Sequence, residues 1–193
     1  MKPRKNGASL GFAVQDHGSF LFTRTSGVTV RNALEAQVHG AAPVALLTID
    51  FAGVDAMTNS FTDEFLGKFY LSLAAGDSDV QGVQLVGLSE ETRDAVTVCL
   101  ERRKQIAVDG DDGVLLGDAA MLADTYEQAR QLGRFRTTAL AEALQVSLPN
   151  ANNRLKRLVE AGALKRNRAA GPEGGGKEFV YSLPGAPGNE QVP

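Results

Sequence analysis

The chain has 193 residues, a formal net charge of −3, 43% hydrophobic and 22% charged residues, a balance that suits one ordinary packed domain or two small ones and excludes a disordered chain. A single cysteine, Cys99, rules out an intramolecular disulfide framework and fits a reducing, cytoplasmic setting. No apolar run reaches the ~18 residues of a membrane helix, and the basic start MKPRKNGASLGF has no apolar segment behind it to make a secretory signal.

In chain order, LGFAVQ and SFLFT read as strands, joined as a hairpin that turns at Asp16-His17-Gly18. Ser26 is positioned to cap a helix running to about His39, with Val30, Ala33, Leu34 and Val38 on one face. PVALLTIDF, a near-continuous apolar run ahead of Gly53, predicts a strand buried on both faces. Ser60-Phe61-Thr62-Asp63 has the pattern of a capping box and opens a helix carrying Phe61, Phe65, Leu66 and Phe69. GVQLVGL repeats the buried-strand signature. SEETRDAVTVCLERRK then starts with a Ser cap and two acids and ends in basic residues, matching the helix dipole. Within it, Cys99 reads as a small buried apolar residue. Strands alternating with helices predict a small α/β layer fold with a mixed sheet.

The turn-prone DGDDG, residues 109–113, separates an acidic half from a basic one. Residues 1–117 carry ten Lys/Arg against fifteen Asp/Glu, and residues 118–193 carry ten against eight. Between 134 and 168 there are eight basic residues and only Glu142 and Glu160, the kind of localised positive block that nucleic acid attracts. A helix over about 118–132 is followed by a short helix capped by Thr137 or Thr138, with Leu140, Ala141 and Leu144 inward and Val146 in the turn. Ser147 then caps a second helix with a stripe of Leu148, Ala151, Leu155, Leu158 and Val159, ended by Gly162. That order is the helix-turn-helix plan.

The stretch GPEGGGKE, Gly171 to Glu178, satisfies the first part of a phosphate-cradle pattern. A cradle needs a helix behind it, so that backbone N–H groups converge on phosphate. Here LKRNR precedes and FVYSL follows, both strand-like, and Glu178 stands where Ser or Thr would hold magnesium. The run therefore reads as the tip of a β-hairpin, the wing of a winged helix-turn-helix.

From Thr137 to Leu183, through TTALAEALQVSLPNANNRLKRLVEAGALKR and the closing FVYSL, the chain resembles the winged helix-turn-helix of bacterial regulators related to the MarR and ArsR families. The resemblance implies that outward residues at the start of the second helix meet base edges. Ser147, Asn150, Asn152, Asn153, Arg154, Lys156 and Arg157 occupy that helix, and Asn and Arg can pair bidentately with adenine and guanine. Lys165, Arg166, Arg168 and Lys177 on the wing would reach phosphates or the minor groove. From about Phe20 to Lys104, through FTRTSGVTVRNAL, IDFAGVDAMTNSFTDEFLGKF and the helix ending LERRK, the chain resembles the STAS-like domain of unknown function, a distant relative of anti-sigma-factor antagonists. In true antagonists a Ser at this place is phosphorylated by a partner kinase; by position it matches Ser60. Phe61 departs from the glycine common there, and Asp63 and Glu64 would oppose a phosphate, so Ser60 reads first as a helix N-cap and second as a phosphorylation site.

The expected organisation is a STAS-like α/β domain over 8–108, a linker over 109–117, a winged helix-turn-helix over 118–183 and a disordered tail over 184–193. The expected function is that of a DNA-binding transcription regulator with a STAS-like sensor or partner-binding module, acting on double-stranded DNA without a cofactor, metal or enzymatic activity. The alternative is a protein-interaction switch similar to an anti-sigma-factor antagonist, with the winged helix as a docking surface. Such regulators usually act as dimers on palindromic sites, and Met121, Leu122, Tyr126 and Ala129 on the 118–132 helix are the candidate homodimer seam.

Overall fold

Four short apolar strands spaced by helices set up a parallel sheet, and the computed structural model, which describes residues 7–170 and 177–185, shows how it is laid out. Strands β1 (Ala8–Ala13), β3 (Val44–Asp50), β5 (Val83–Val86) and β6 (Ile106–Asp109) lie side by side in parallel. Strand β7 (Val114–Gly117) closes the five-stranded sheet antiparallel to β6, so the sheet is mixed. The connections are α1 (Arg24–Ala41), a composite helix and α4 (Glu90–Arg102). The composite helix consists of α2 (Asn59–Thr62), a wider π-type turn over Asp63–Gly67 and α3 (Lys68–Ala75). Because β1, β3, β5 and β6 advance across the sheet in one direction, right-handed crossovers put every connection on the same face. One core records this: Val30 and Leu34, then Phe61, Phe65, Leu66, Phe69 and Tyr70, and Val96 and Leu100 pack on Leu47, Ile49, Leu85 and Ala107.

The early hairpin does not form. β1 pairs with β3, and β2 (Phe20–Leu21) pairs in parallel with β4 (Ala56–Met57), because a 3-10 turn over Val14–His17 carries the chain away from its neighbour. The first helix also starts earlier than expected. Thr23, in extended conformation, is the N-cap: its Oγ1 accepts the Ser26 N–H at 3.0 Å, so Ser26 is the third helical residue rather than the cap. Helix α1 then crosses the composite helix at Gly27, where a Cβ would fall 2.7 Å from the Phe61 carbonyl oxygen. Ser89 caps α4 as expected, accepting the Thr92 N–H, and Cys99 is buried on that helix.

DGDDG is a tight turn inside the sheet, not a linker. Buried Asp109 accepts the Asp111 and Asp112 N–H groups on Oδ1. Arg93 Nη2 sits 2.8 Å from its Oδ2, an ion pair out of hydrogen-bond alignment, while Arg93 Nη1 donates to Asp112 at 2.6 Å. The chain thus returns as β7 before leaving the layer.

The C-terminal elements are α5 (Ala123–Leu132), β8 (Arg134–Arg136), α6 (Thr137–Leu144), α7 (Leu148–Glu160), β9 (Lys165–Ala170) and β10 (Lys177–Ser182), with the strands in an antiparallel sheet of order β8-β10-β9. Their core holds Leu122, Tyr126, Phe135, Leu140, Leu155, Leu158 and Tyr181, and it also takes Ile106 and Val108 from β6. Leu122, Tyr126 and Ala129 are therefore spent inside the chain and form no dimer seam; of that group only Met121 is exposed, at 71%. The glycine run from Gly171 to Gly176 and the tail from 186 lie outside the described residues, whereas Pro184 packs beside Gly82.

Because β6 serves two cores, the chain should unfold as one cooperative unit. Ile106→Ala should cost about 2–5 kcal/mol and lower amide-exchange protection in β5 and in β10 together, measured by circular dichroism melts and hydrogen exchange. Loss of protection in β10 alone would show two independent units.

Candidate nucleic-acid interface

Helix α7 begins at Ser147, whose Oγ accepts the Asn150 N–H at 3.4 Å, as the sequence predicted, and Pro149 fits the first turn, where no N–H is needed. Ala151, Leu155 and Leu158 face the core. Leu148 does not: at 47% exposure it lies beyond the core's rim, in the first turn. Gly162, at φ +69°, ends the helix, and its carbonyl accepts the Val83 N–H of β5 at 3.0 Å, so α7 is bolted to the sheet by its C-terminus. The helix before it, α6, starts at Thr137 after an extended Arg136 and has no side-chain cap. The Thr137 hydroxyl is instead engaged with Asn152 Oδ1 at 3.2 Å.

The predicted reading residues divide into two groups. Arg154 and Arg157 point back into the protein. Arg154 donates to Asn150 Oδ1 at 2.7 Å and to buried Thr125 at 3.0 Å, and Arg157 donates to Asp118 Oδ2 at 2.9 Å. Asn153 and Lys156 face solvent, with Lys156 3.7 Å from Glu160 one turn on; Ser147, Asn150 and Asn152 flank them and are exposed as well. The partners Thr125 and Asp118 escape sequence reading because they lie 29 and 39 residues away. On the β9–β10 hairpin, exposed Arg166 lies 4.6 Å over the ring of Phe179. Exposed Arg168 stands opposite Phe179 in the ladder, Lys165 is half-buried, and Lys177 opens β10 opposite Ala170. The structure thus joins an exposed helix face and a basic hairpin through four residues, Ala161 to Leu164.

Ser60 sits elsewhere, on the helical face of the sheet. It is not the cap: Thr58 is extended and its Oγ1 accepts the Phe61 N–H at 3.2 Å, leaving Ser60 within the first turn. The acids that follow are already neutralised. Arg103 donates twice to Asp63, at 2.6 and 2.9 Å, and Glu64 is buried against Lys68 at 2.7 Å and Arg24 at 3.2 Å, with Arg31 donating to its carbonyl oxygen. The Arg103 hydrogen bonds hold the Asp63 carboxyl below its ordinary value, and the Lys68 bond does the same for Glu64. Burial pushes the Cys99 thiol up to about 11, which keeps it an inert thiol.

Compared with family models, with curated proteins and with solved structures, the chain matches none.

Two outcomes test this geometry. Thr58→Ala should lose about 0.5–2 kcal/mol of stability, while Ser60→Ala should barely move the melting temperature; the reverse order would return the cap to Ser60. Asp63 and Glu64 titrate lower in the folded chain than in the unfolded one, so the stability they contribute is present above their unfolded values and is lost as pH falls through the folded ones. In denaturant titrations from pH 7 down to pH 2, Asp63→Asn with Glu64→Gln should be less stable at neutral pH and flatter across the acid limb.

Proposed function

We propose that this chain is a DNA-binding regulator in which α5–β8–α6–α7–β9–β10 is a winged helix-turn-helix and the five-stranded layer in front of it is a STAS-like sensor or partner-binding module. The observation that carries this reading is the division of α7. Its inner flank is anchored by Leu155, Leu158, Arg154 and Arg157, leaving Asn153 and Lys156 on an outer face that makes no core contact. An asparagine placed so is suited to the N6 and N7 edge of adenine, and a lysine to guanine or phosphate. Arg166 and Arg168 extend the positive charge onto the hairpin, where phosphate contacts would set position without reading sequence.

A second reading, docking of a protein partner on the α/β layer, is favoured by one feature. Phe20 and Phe22 are 61% and 52% exposed with ring centroids 6.0 Å apart, an aromatic patch that duplex binding does not use. Replacing both with Ser would abolish a partner complex and leave DNA affinity unchanged.

The DNA reading is tested by fluorescence anisotropy on labelled duplexes over a salt series. Lys156→Ala with Arg168→Ala should weaken binding to all sequences alike and flatten the salt slope by about 0.9 per lost phosphate contact. Asn153→Ala should cost about 1–3 kcal/mol on the preferred site only. Arg154→Ala should lower the melting temperature as well, because it empties the Thr125 contact. A wild-type affinity that ignores salt would rule the reading out.

A further inference from the structure

Arginine is the commonest reader of guanine, because its guanidinium fits the O6 and N7 edge bidentately. Helix α7 has two arginines, and the fold spends both inward. Arg154 donates to Asn150 Oδ1 and to the Thr125 hydroxyl, and Arg157 donates to the Asp118 carboxylate and carbonyl. Turning Arg154 outward would strip Thr125, which is fully buried, of that donor. Ahead of the two arginines, Ser147 to Asn153 reads Ser-Leu-Pro-Asn-Ala-Asn-Asn, about two turns without one charged side chain.

Those turns offer two kinds of contact. Asn150 Oδ1 is occupied by Arg154 and Asn152 Oδ1 by the Thr137 hydroxyl, whereas Asn153 is exposed and has no hydrogen-bond partner among the described residues. Its amide keeps both a donor and an acceptor, the pair that adenine N7 and N6 require. The other contact is apolar. Leu148 is 47% exposed, while Ala151, Leu155 and Leu158 of the same helix fill the core. Among major-groove base edges the apolar group is the C5 methyl of thymine. Adenine and thymine pair with each other, so both side chains ask for the same base pair.

We propose that α7 takes A·T base pairs under its first two turns, with Leu148 packed on a thymine methyl and Asn153 paired with adenine. This rests on the DNA-binding reading above, and adds to it the composition of the preferred site and the residue that reads the methyl. Lys156 is the first exposed basic side chain of the helix. Guanine contacts from α7 therefore fall to it, a turn beyond the A·T pairs.

The test selects duplexes from a randomised library on the full chain, then measures anisotropy on the selected site at fixed salt. Replacing one thymine at a time with deoxyuridine removes only the methyl. At one position this should weaken wild-type binding about fourfold, the effect of one buried methyl group. Leu148→Ala should bind the thymine and deoxyuridine duplexes equally, while Leu148→Met, which keeps an apolar reach, should still tell them apart. Both variants should melt with the wild type, since Leu148 lies outside the core. An inosine·cytosine pair keeps the minor groove of A·T but carries the major groove of G·C. Put in place of the A·T pair that Asn153 reads, it should cost the wild type at least about fivefold and Asn153→Ala nothing. A selected site without A·T pairs, no methyl effect at any thymine, or a methyl effect that persists in Leu148→Ala overturns the proposal and leaves the DNA-binding reading standing. Absence of salt-dependent binding to any duplex overturns both.

Discussion

Strand β6 is the constraint on which the rest of the molecule depends, because its two faces belong to two different cores. Ala107 points to the helices of the layer, and Ile106 and Val108 point to the elements that follow. That division is possible because the right-handed crossovers consume only one face of the sheet. The opposite face would otherwise expose apolar side chains to water. Covering it with α5 and the packed helices behind it removes that cost, and it makes the C-terminal unit incomplete without the strand it leans on. A layer of four strands would not suffice, since the β7 return places Asp118 where it can meet Arg157.

The basic character of the C-terminal half has two uses that composition cannot distinguish. A guanidinium reaches far enough to tie a helix to its neighbours through several donors at once, and Arg154 and Arg157 do this with Asn150, Thr125 and Asp118. Their charge helps fix the orientation of α7 and is largely absent from its outer surface. What remains outward is a short polar ridge, Asn153 and Lys156 flanked by Ser147, Asn150 and Asn152, with the hairpin arginines alongside in sequence. A surface of this kind holds fewer charges than the count of basic residues implies. On the DNA-binding reading proposed above, affinity would come from geometry as much as from field strength, because the net charge of the chain is −3.

Where the sequence was legible, a local rule decided the outcome. Ser89 and Ser147 are caps because each precedes an apolar stripe with nothing else able to accept the first-turn N–H groups. Strands β3 and β5 show as apolar runs because the helices cover one face whatever lies on the other. The mixed α/β character was readable for the same reason. Where it was not legible, the decision was non-local or lay between two similar residues. Thr23 and Thr58 displaced Ser26 and Ser60 as caps, each two or three residues upstream, since several hydroxyls competed and the turn before the helix chose among them. The hairpin expected at Asp16 failed because parallel pairing with β3 buries Phe12 in the core. DGDDG looked like a linker because its acids read as solvated, yet Asp109 is buried against Arg93.

The contacts between the layer and α7 also limit how one could influence the other. Coupling between distant sites requires an element with two discrete arrangements that both sites bias. The Val83–Gly162 backbone bond is an extension of the sheet and has no second arrangement short of breaking. The Arg157–Asp118 pair is only half-buried, with Lys104 4.0 Å from the same carboxylate, so the carboxylate can exchange partners at small cost. An ion pair of that exposure supplies too little energy to reorient a helix held by Leu155 and Leu158. Within one chain, the layer and α7 are therefore held in a single arrangement by the Val83–Gly162 bond and by Leu155 and Leu158 in the core.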